Sequence, residues 1–228
     1  MLNKSKGIVI NYVKYKETSI IVKIYTEEFG IQTYIENGVR SSRSKNKIAL
    51  FQPLTLLDLV IYHKEGKDIQ RIAEIKCNHP FHEIPYQIAK SSIAMFITEI
   101  LVKTLKEEMA NKQLFAFVND SIVWLDEAKD HFQNFHLQFL LKLSAYLGFL
   151  PETAQEMADE LALHGLTIQD KSVVIAIESL LVSEYDRPPL LTLTQRNTIL
   201  AITLQWFHLH IESMGEIKSL AVLKETLH

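Results

Sequence analysis

The chain is 228 residues long, 47% hydrophobic and 22% charged, which excludes wholesale disorder and suffices for one large domain or two small ones. Its single cysteine, Cys77, excludes an internal disulfide framework and a four-cysteine zinc site. The formal charge of -3 argues against nucleic-acid binding by the whole surface, yet the charge is unevenly spread: residues 1–80 hold thirteen Lys and Arg against eight Asp and Glu, and residues 81–228 hold eleven against nineteen.

From Gly7 to about Cys77 the pattern is that of strands. Ile8, Ile10 and Tyr12 alternate with Val9, Asn11 and Val13, and Ile20, Val22 and Ile24 alternate with Ile21, Lys23 and Tyr25. The polar Tyr15-Lys16-Glu17-Thr18 between them predicts a tight hairpin. Glu27 to Gly30 predicts a second turn, Ile31 to Glu36 a third strand, Leu54 to Tyr62 a fourth, Lys64 to Lys67 a turn, and Ile69 to Ile75 a fifth strand. Five short strands with one long connection suit a small closed β-barrel, which leaves no exposed sheet edge.

After Pro80 the period changes. Apolar residues recur at spacings of mostly three and four from Ile88 to Met109, and helices are expected there and over Leu114–Trp124, Phe132–Tyr146, Thr153–Leu163, Val173–Leu181 and Thr194–Met214. Gly148, Gly165 and Pro188-Pro189 punctuate them. Asp186 to Pro189 is too short for a domain linker, so the helices are taken as one unit. The expected fold class is therefore α+β in two domains, a barrel over residues 1–80 and an all-helical domain over 81–228.

Catalytic hardware is absent from the sequence. Neither a GxxxxGK[ST] nor a GxGxxG loop occurs, nor HExxH, nor GxSxG. Cys77, His79 and His82 form the best metal candidate, but a fourth ligand is lacking, and a plain domain junction accounts for them. His208 and His210 are two apart and diverge by about 200° on a helix, so they cannot share an ion. The carboxylates Glu107, Glu108, Asp126, Glu127, Asp130, Glu156, Asp159 and Glu160 read as solvated helix faces. No enzyme, cofactor or bound metal is expected. No stretch of about eighteen uncharged apolar residues occurs, and the lysine-bearing N-terminus lacks a signal-peptide core, so no membrane partner is expected and the cytoplasm is the expected compartment.

The most informative segment is Gly38 to Lys47. It carries Arg40, Arg43, Lys45 and Lys47 and no acid, with Ser41, Ser42, Ser44 and Asn46 able to bond phosphate oxygens. Set in the long loop of a barrel, these four cations are the leading DNA-binding candidates, with Lys14, Lys16 and Lys23 as companions. A merely solvated loop is the plain alternative. Exposed aromatics would strengthen the case, and one or two of Tyr12, Tyr15, Tyr25, Phe29 and Tyr34 are expected outside.

Gly7-Ile-Val-Ile through Tyr15-Lys-Glu-Thr-Ser-Ile-Ile-Val, Tyr25 to Gly30, Asn37 to Arg40 and Phe51-Gln-Pro-Leu54 resemble the N-terminal domain of the RecO family of bacterial recombination mediators. Tyr146 to Pro151 and Lys218 to Glu225 resemble that family's later helices. The resemblance spans nearly the full length and implies an OB-fold barrel before the helical domain. It also implies binding of single- and double-stranded DNA, annealing of complementary strands, and loading of RecA together with RecR in RecF-pathway repair in the bacterial cytoplasm, at the nucleoid. The acidic, apolar C-terminal tail of single-strand-binding protein is a further implied partner. Many members carry a zinc-binding cysteine cluster after the segment matched by Leu147 to Pro151, whereas this chain continues into Glu152-Thr-Ala-Gln-Glu-Met and lacks that module. A protein-interaction scaffold and an RNA-binding barrel remain the alternative readings.

Overall fold

The computed structural model describes residues 2–41, 47–106 and 109–227. Five strands, β1 (Leu2–Tyr15), β2 (Ser19–Thr26), β3 (Gly30–Glu36), β4 (Leu56–Tyr62) and β5 (Ile69–His79), close into a barrel in the order β1-β2-β3-β5-β4. All pairings are antiparallel except β3 with β5, which is parallel. A five-stranded barrel with this crossed order is an OB-fold. The period-two alternation puts Val9, Ile20, Val22, Ile24, Tyr34 and Leu57 inside, each at most 1% exposed. Val39 and Phe51, from the connection between β3 and β4, join the same core.

β1 begins five residues before the expected Gly7. Residues 2–8 pair with Tyr62 to Leu56 of β4 and thereby close the barrel. Their inward positions are taken by Ser5 and Gly7, so this stretch lacks the apolar alternation by which strands are recognised. Gly7 is required by space: a Cβ there would lie 2.7 Å from Ile24 Cγ2 and from Leu59 Cδ1.

Seven α-helices follow among the described residues: α1 (Ile88–Thr104), α2 (Lys112–Glu127), α3 (Phe135–Leu147), α4 (Ala154–Leu163), α5 (Lys171–Val182), α6 (Leu193–His210) and α7 (Leu220–Thr226). Their starts are chemically marked. Thr153 accepts from Glu156 N, Asp170 from Ser172 N, and Thr192 with Gln195 forms a reciprocal capping box. Gly148, at φ 86°, ends α3. α6 stops at His210, short of the expected Met214: the chain turns at Ile211, and Met214, whose spacing had suggested further helix, is buried from the turn instead.

Two compact units result. The first comprises residues 1–85 and 98–126, so the barrel unit takes in the end of α1 and nearly all of α2 in addition to the residues assigned to it from sequence. Tyr25, outward on β2, explains the attachment: its ring meets Phe115 at 5.6 Å and its hydroxyl donates to Asn111 O at 3.2 Å. The second comprises residues 86–97 and 127–228. There α3 is buried almost all round and packs against α5 and α6, and Trp206 Nε1 donates to Phe149 O at 3.0 Å. No helix among the described residues is long and apolar enough to cross a membrane.

Candidate nucleic-acid interface

Directly opposed residues of β1, β2 and β3 form rungs across the sheet, and two adjacent rungs remain open to solvent. One is Asn11–Lys23–Thr33, continued by Ile69 of β5; the next is Val13–Ile21–Ile35, continued by Arg71. Val13 is 59% exposed, Lys23 and Arg71 are exposed, and Ile21 and Ile35 are half-buried. The β-branched residues satisfy the pleat and leave an apolar strip on its outer side.

The β1–β2 hairpin and the segment after β3 meet at one end of this face. Arg40 donates from its backbone N to Thr18 O at 3.0 Å and from Nη1 to Lys16 O at 3.3 Å. Lys16 turns the hairpin at φ 49° and lays its ammonium 5.4 Å from the centre of the Tyr15 ring. Lys14, Lys16, Lys23, Arg40 and Arg71 form no ion pair among the described residues. Lys47 differs, because its Nζ lies 2.8 Å from Glu36 Oε2.

On the other side of the Asn11–Lys23–Thr33 rung the surface sinks into a cleft of about 530 Å³. Lys64 and Lys67 reach it from the turn between β4 and β5, and Lys106 from beyond the end of α1. The turn is fixed from below. Gln70, only 2% exposed, donates to Lys64 O and Lys67 O at 2.8 Å each and accepts from Lys64 N at 3.1 Å. A second groove, about 500 Å³, runs between β1, β4 and β5, and its lining holds Lys4, Lys6 and Lys76 beside Glu27, Asp58 and Glu74. Its charges balance, so it offers a polyanion nothing.

Residues 1–81 match the family described as Recombination protein O N terminal, and residues 85–171 match Recombination protein O C terminal. The chain is 37% identical to "DNA repair protein RecO" of Phocaeicola vulgatus, over 99% of both chains. It is 36% identical to the protein of that name from Flavobacterium psychrophilum, over 97% of this chain and 98% of the relative, and 37% identical to that of Bacteroides fragilis strain YCH46, over 99% of both. The chain belongs to the RecO family.

This RecO chain brings only part of the sequence-derived basic set together. Arg40 joins Lys16 at the hairpin, with Lys14 on the adjoining strand; Lys23 stands on the open rungs; Lys47 is tied to Glu36; Arg43 and Lys45 lie outside the described residues. Of the five aromatics considered, Tyr15 is exposed, Tyr25 and Tyr34 are buried, and Tyr12 and Phe29 pack on the core. Sequence reasoning missed Arg71, Lys64, Lys67 and Lys106, since their cationic character was visible but their placement depends on the parallel β3–β5 pairing and on α1.

The junction after β5 also needs a correction. Asp126, read as a solvated carboxylate, is fully buried and accepts from the backbone N of His82, Glu83 and Ile84 at 2.9, 3.0 and 2.9 Å. His79 Nε2 lies 3.4 Å from the same carboxylate. Burial alone would raise the Asp126 pKa, but the three amides and His79 outweigh it and hold the carboxyl below its ordinary value. Cys77, His79 and His82 thus belong to a segment organised around a buried acid. No group of three His, Cys, Asp or Glu side chains among the described residues is arranged to hold a metal ion.

Proposed function

We propose that this RecO-family chain is a non-catalytic DNA-binding mediator of recombinational repair in the cytoplasm. Single-stranded DNA lies across the outer face of β1, β2 and β3, its phosphates on Lys16, Lys23 and Arg40, with Arg43 and Lys45 as further candidate contacts; Lys14 shares the rung of Ile20 and Glu36 and so belongs to the other side of the sheet. The observation that carries this reading is the coincidence, on one open sheet face, of an apolar rung at Val13–Ile21–Ile35 with cations that have no carboxylate partner. Strand β2–β3 faces and the loops beside them are where OB-folds take oligonucleotides.

Contact through phosphates and aliphatic side chains leaves the pairing edges of the bases free, so a held strand remains able to anneal. Residues 81–228 carry the acidic surplus and repel DNA, while Leu163, Val182 and Leu190, at 86%, 79% and 97% exposure, leave apolar surface for protein contacts. RecR and the tail of single-strand-binding protein are the proposed partners there, with RecA loading as the outcome.

The test is a salt series of oligothymidylate binding followed by fluorescence anisotropy. The affinity should fall with salt at a slope near -0.7 per phosphate contact, and joint reversal of Lys16, Lys23 and Arg40 to Glu should nearly abolish it. Unchanged binding in that variant overturns the assignment, and a stronger preference for RNA oligomers would transfer the face to RNA.

A further inference from the structure

We propose that the cleft beside Lys23 is a binding site for a nucleoside 5′-monophosphate, taken either as a free nucleotide or as the phosphorylated terminal unit of a strand. The inference builds on the DNA-binding reading, because Lys23 and Thr33 belong to both the open rung and the cleft wall.

Size, charge and wall chemistry agree on this ligand. At about 530 Å³ the cleft is in the range of small-molecule sites and too small for a folded partner. Its lining carries Lys23, Lys64, Lys67 and Lys106 against Glu65 and Asp68, four cations to two acids, whereas the groove between β1, β4 and β5 is balanced at three each. Lys23, Lys64 and Lys67 have no ion pair among the described residues, so their charge is available to a doubly charged terminal phosphate.

Apolar residues share the lining. Ile10, Ile31, Val102 and Leu105 line the cleft and present aliphatic surface to the flat face of a base. Asn11, Gln32 and Thr33 add hydrogen-bonding groups to the lining. His63 completes the lining; its ring stacks on Phe29 at 4.1 Å and 22°, and its buried Nδ1 has no hydrogen-bond partner among the described residues. The lysine-bearing turn itself is held by the buried Gln70, so little order must be imposed on binding.

The experiment uses the full chain and isothermal titration with thymidine 5′-monophosphate, thymidine and inorganic phosphate. The monophosphate should bind, and either half alone should bind at least about tenfold more weakly. Val102→Trp, at a site 40% exposed on α1 and therefore tolerant of bulk, should fill the cleft and remove monophosphate binding while leaving long-oligonucleotide binding in place. Lys64→Glu with Lys67→Glu should likewise remove monophosphate binding, through charge. A 5′-phosphorylated oligomer binding more tightly than its 5′-hydroxyl twin assigns the site to strand ends; equal binding assigns it to free nucleotides. No monophosphate binding, or binding matched by inorganic phosphate, overturns the cleft assignment even where oligonucleotides still bind. Loss of all oligonucleotide binding in the unmodified chain overturns the DNA-binding face instead, and the mononucleotide titration then judges the cleft separately.

Discussion

Lys47 Nζ lies 2.8 Å from Glu36 Oε2, and Glu36 is buried at the end of β3, so this lysine neutralises a partly desolvated carboxylate at the barrel rim. Among the described cations around the β3–β4 connection it therefore has the least charge to offer a phosphate. Lys47→Gln should lower unfolding stability by about 1 kcal/mol, since Glu36 loses its partner, and change oligonucleotide affinity less than about twofold. Lys23→Gln should do the reverse, with unaltered stability and a salt slope smaller by about 0.7. Urea melts and anisotropy titrations of the two variants, side by side, separate these outcomes.

Asp126 anchors the backbone after β5, and its amide analogue is not a neutral replacement. Asp126→Asn points an NH₂ at donors that already face the carboxylate, and should cost about 3 kcal/mol. The pH dependence has a defined sign. The folded carboxyl is held below its ordinary pKa, so its contribution is complete above about pH 4 and is lost as the pH falls through the lowered value. An Asp126→Asn protein whose stability matches the parent at pH 7 would contradict this role.

His136 titrates in the opposite chemical sense with the same outcome. Burial, aided by the charge of Arg196 and outweighing a hydrogen bond with the Gln133 backbone, pushes its pKa down to about 3. The unfolded chain takes up a proton below about pH 6.5 and the folded chain does not, so stability falls by about 1.4 kcal/mol per pH unit from there towards pH 3. Between pH 7 and pH 5 the loss from this group should be about 2 kcal/mol. His136→Phe, which keeps a ring beside Phe96, should flatten that part of the curve in chemical denaturation at the two pH values.

Gly7 is bounded by the ends of two side chains, and Gly7→Ala should cost about 1–3 kcal/mol through overpacking. Shortening the neighbour should recover part of that loss, so Gly7→Ala combined with Leu59→Val is expected to melt above the single variant. Failure of the second change to help would place the strain elsewhere.

The barrel was legible because its strands alternate, and the helices because apolar residues recur every three or four positions. What escaped was information that periodicity does not contain. The first residues of β1, 2–7, pair with β4, but Ser5 and Gly7 fill their inward places with almost no apolar signal. A helix pattern reports which face is buried and not what it is buried against, so the membership of α2 in the barrel unit through Phe115 was invisible. Lys23 was readable as a cation. Its neighbours Lys64 and Lys67 are more than forty residues away in sequence and reach the same cleft only because β5 runs parallel to β3. Asp126 looked like any acid on an amphipathic helix until the backbone amides of His82, Glu83 and Ile84 were seen to converge on it.

The length of β1 has a consequence for handling the protein. Its first half is bonded to β4 and its second half to β2, so one strand seals the cylinder along both sides. Proteolytic trimming or a tag that displaces Leu2 to Lys6 would bare the hydrogen-bonding edge of β4, with Tyr62 and Leu57 nearby, as a template for another chain. Such preparations should self-associate, with sedimentation showing stronger concentration-dependent association than that of the intact chain.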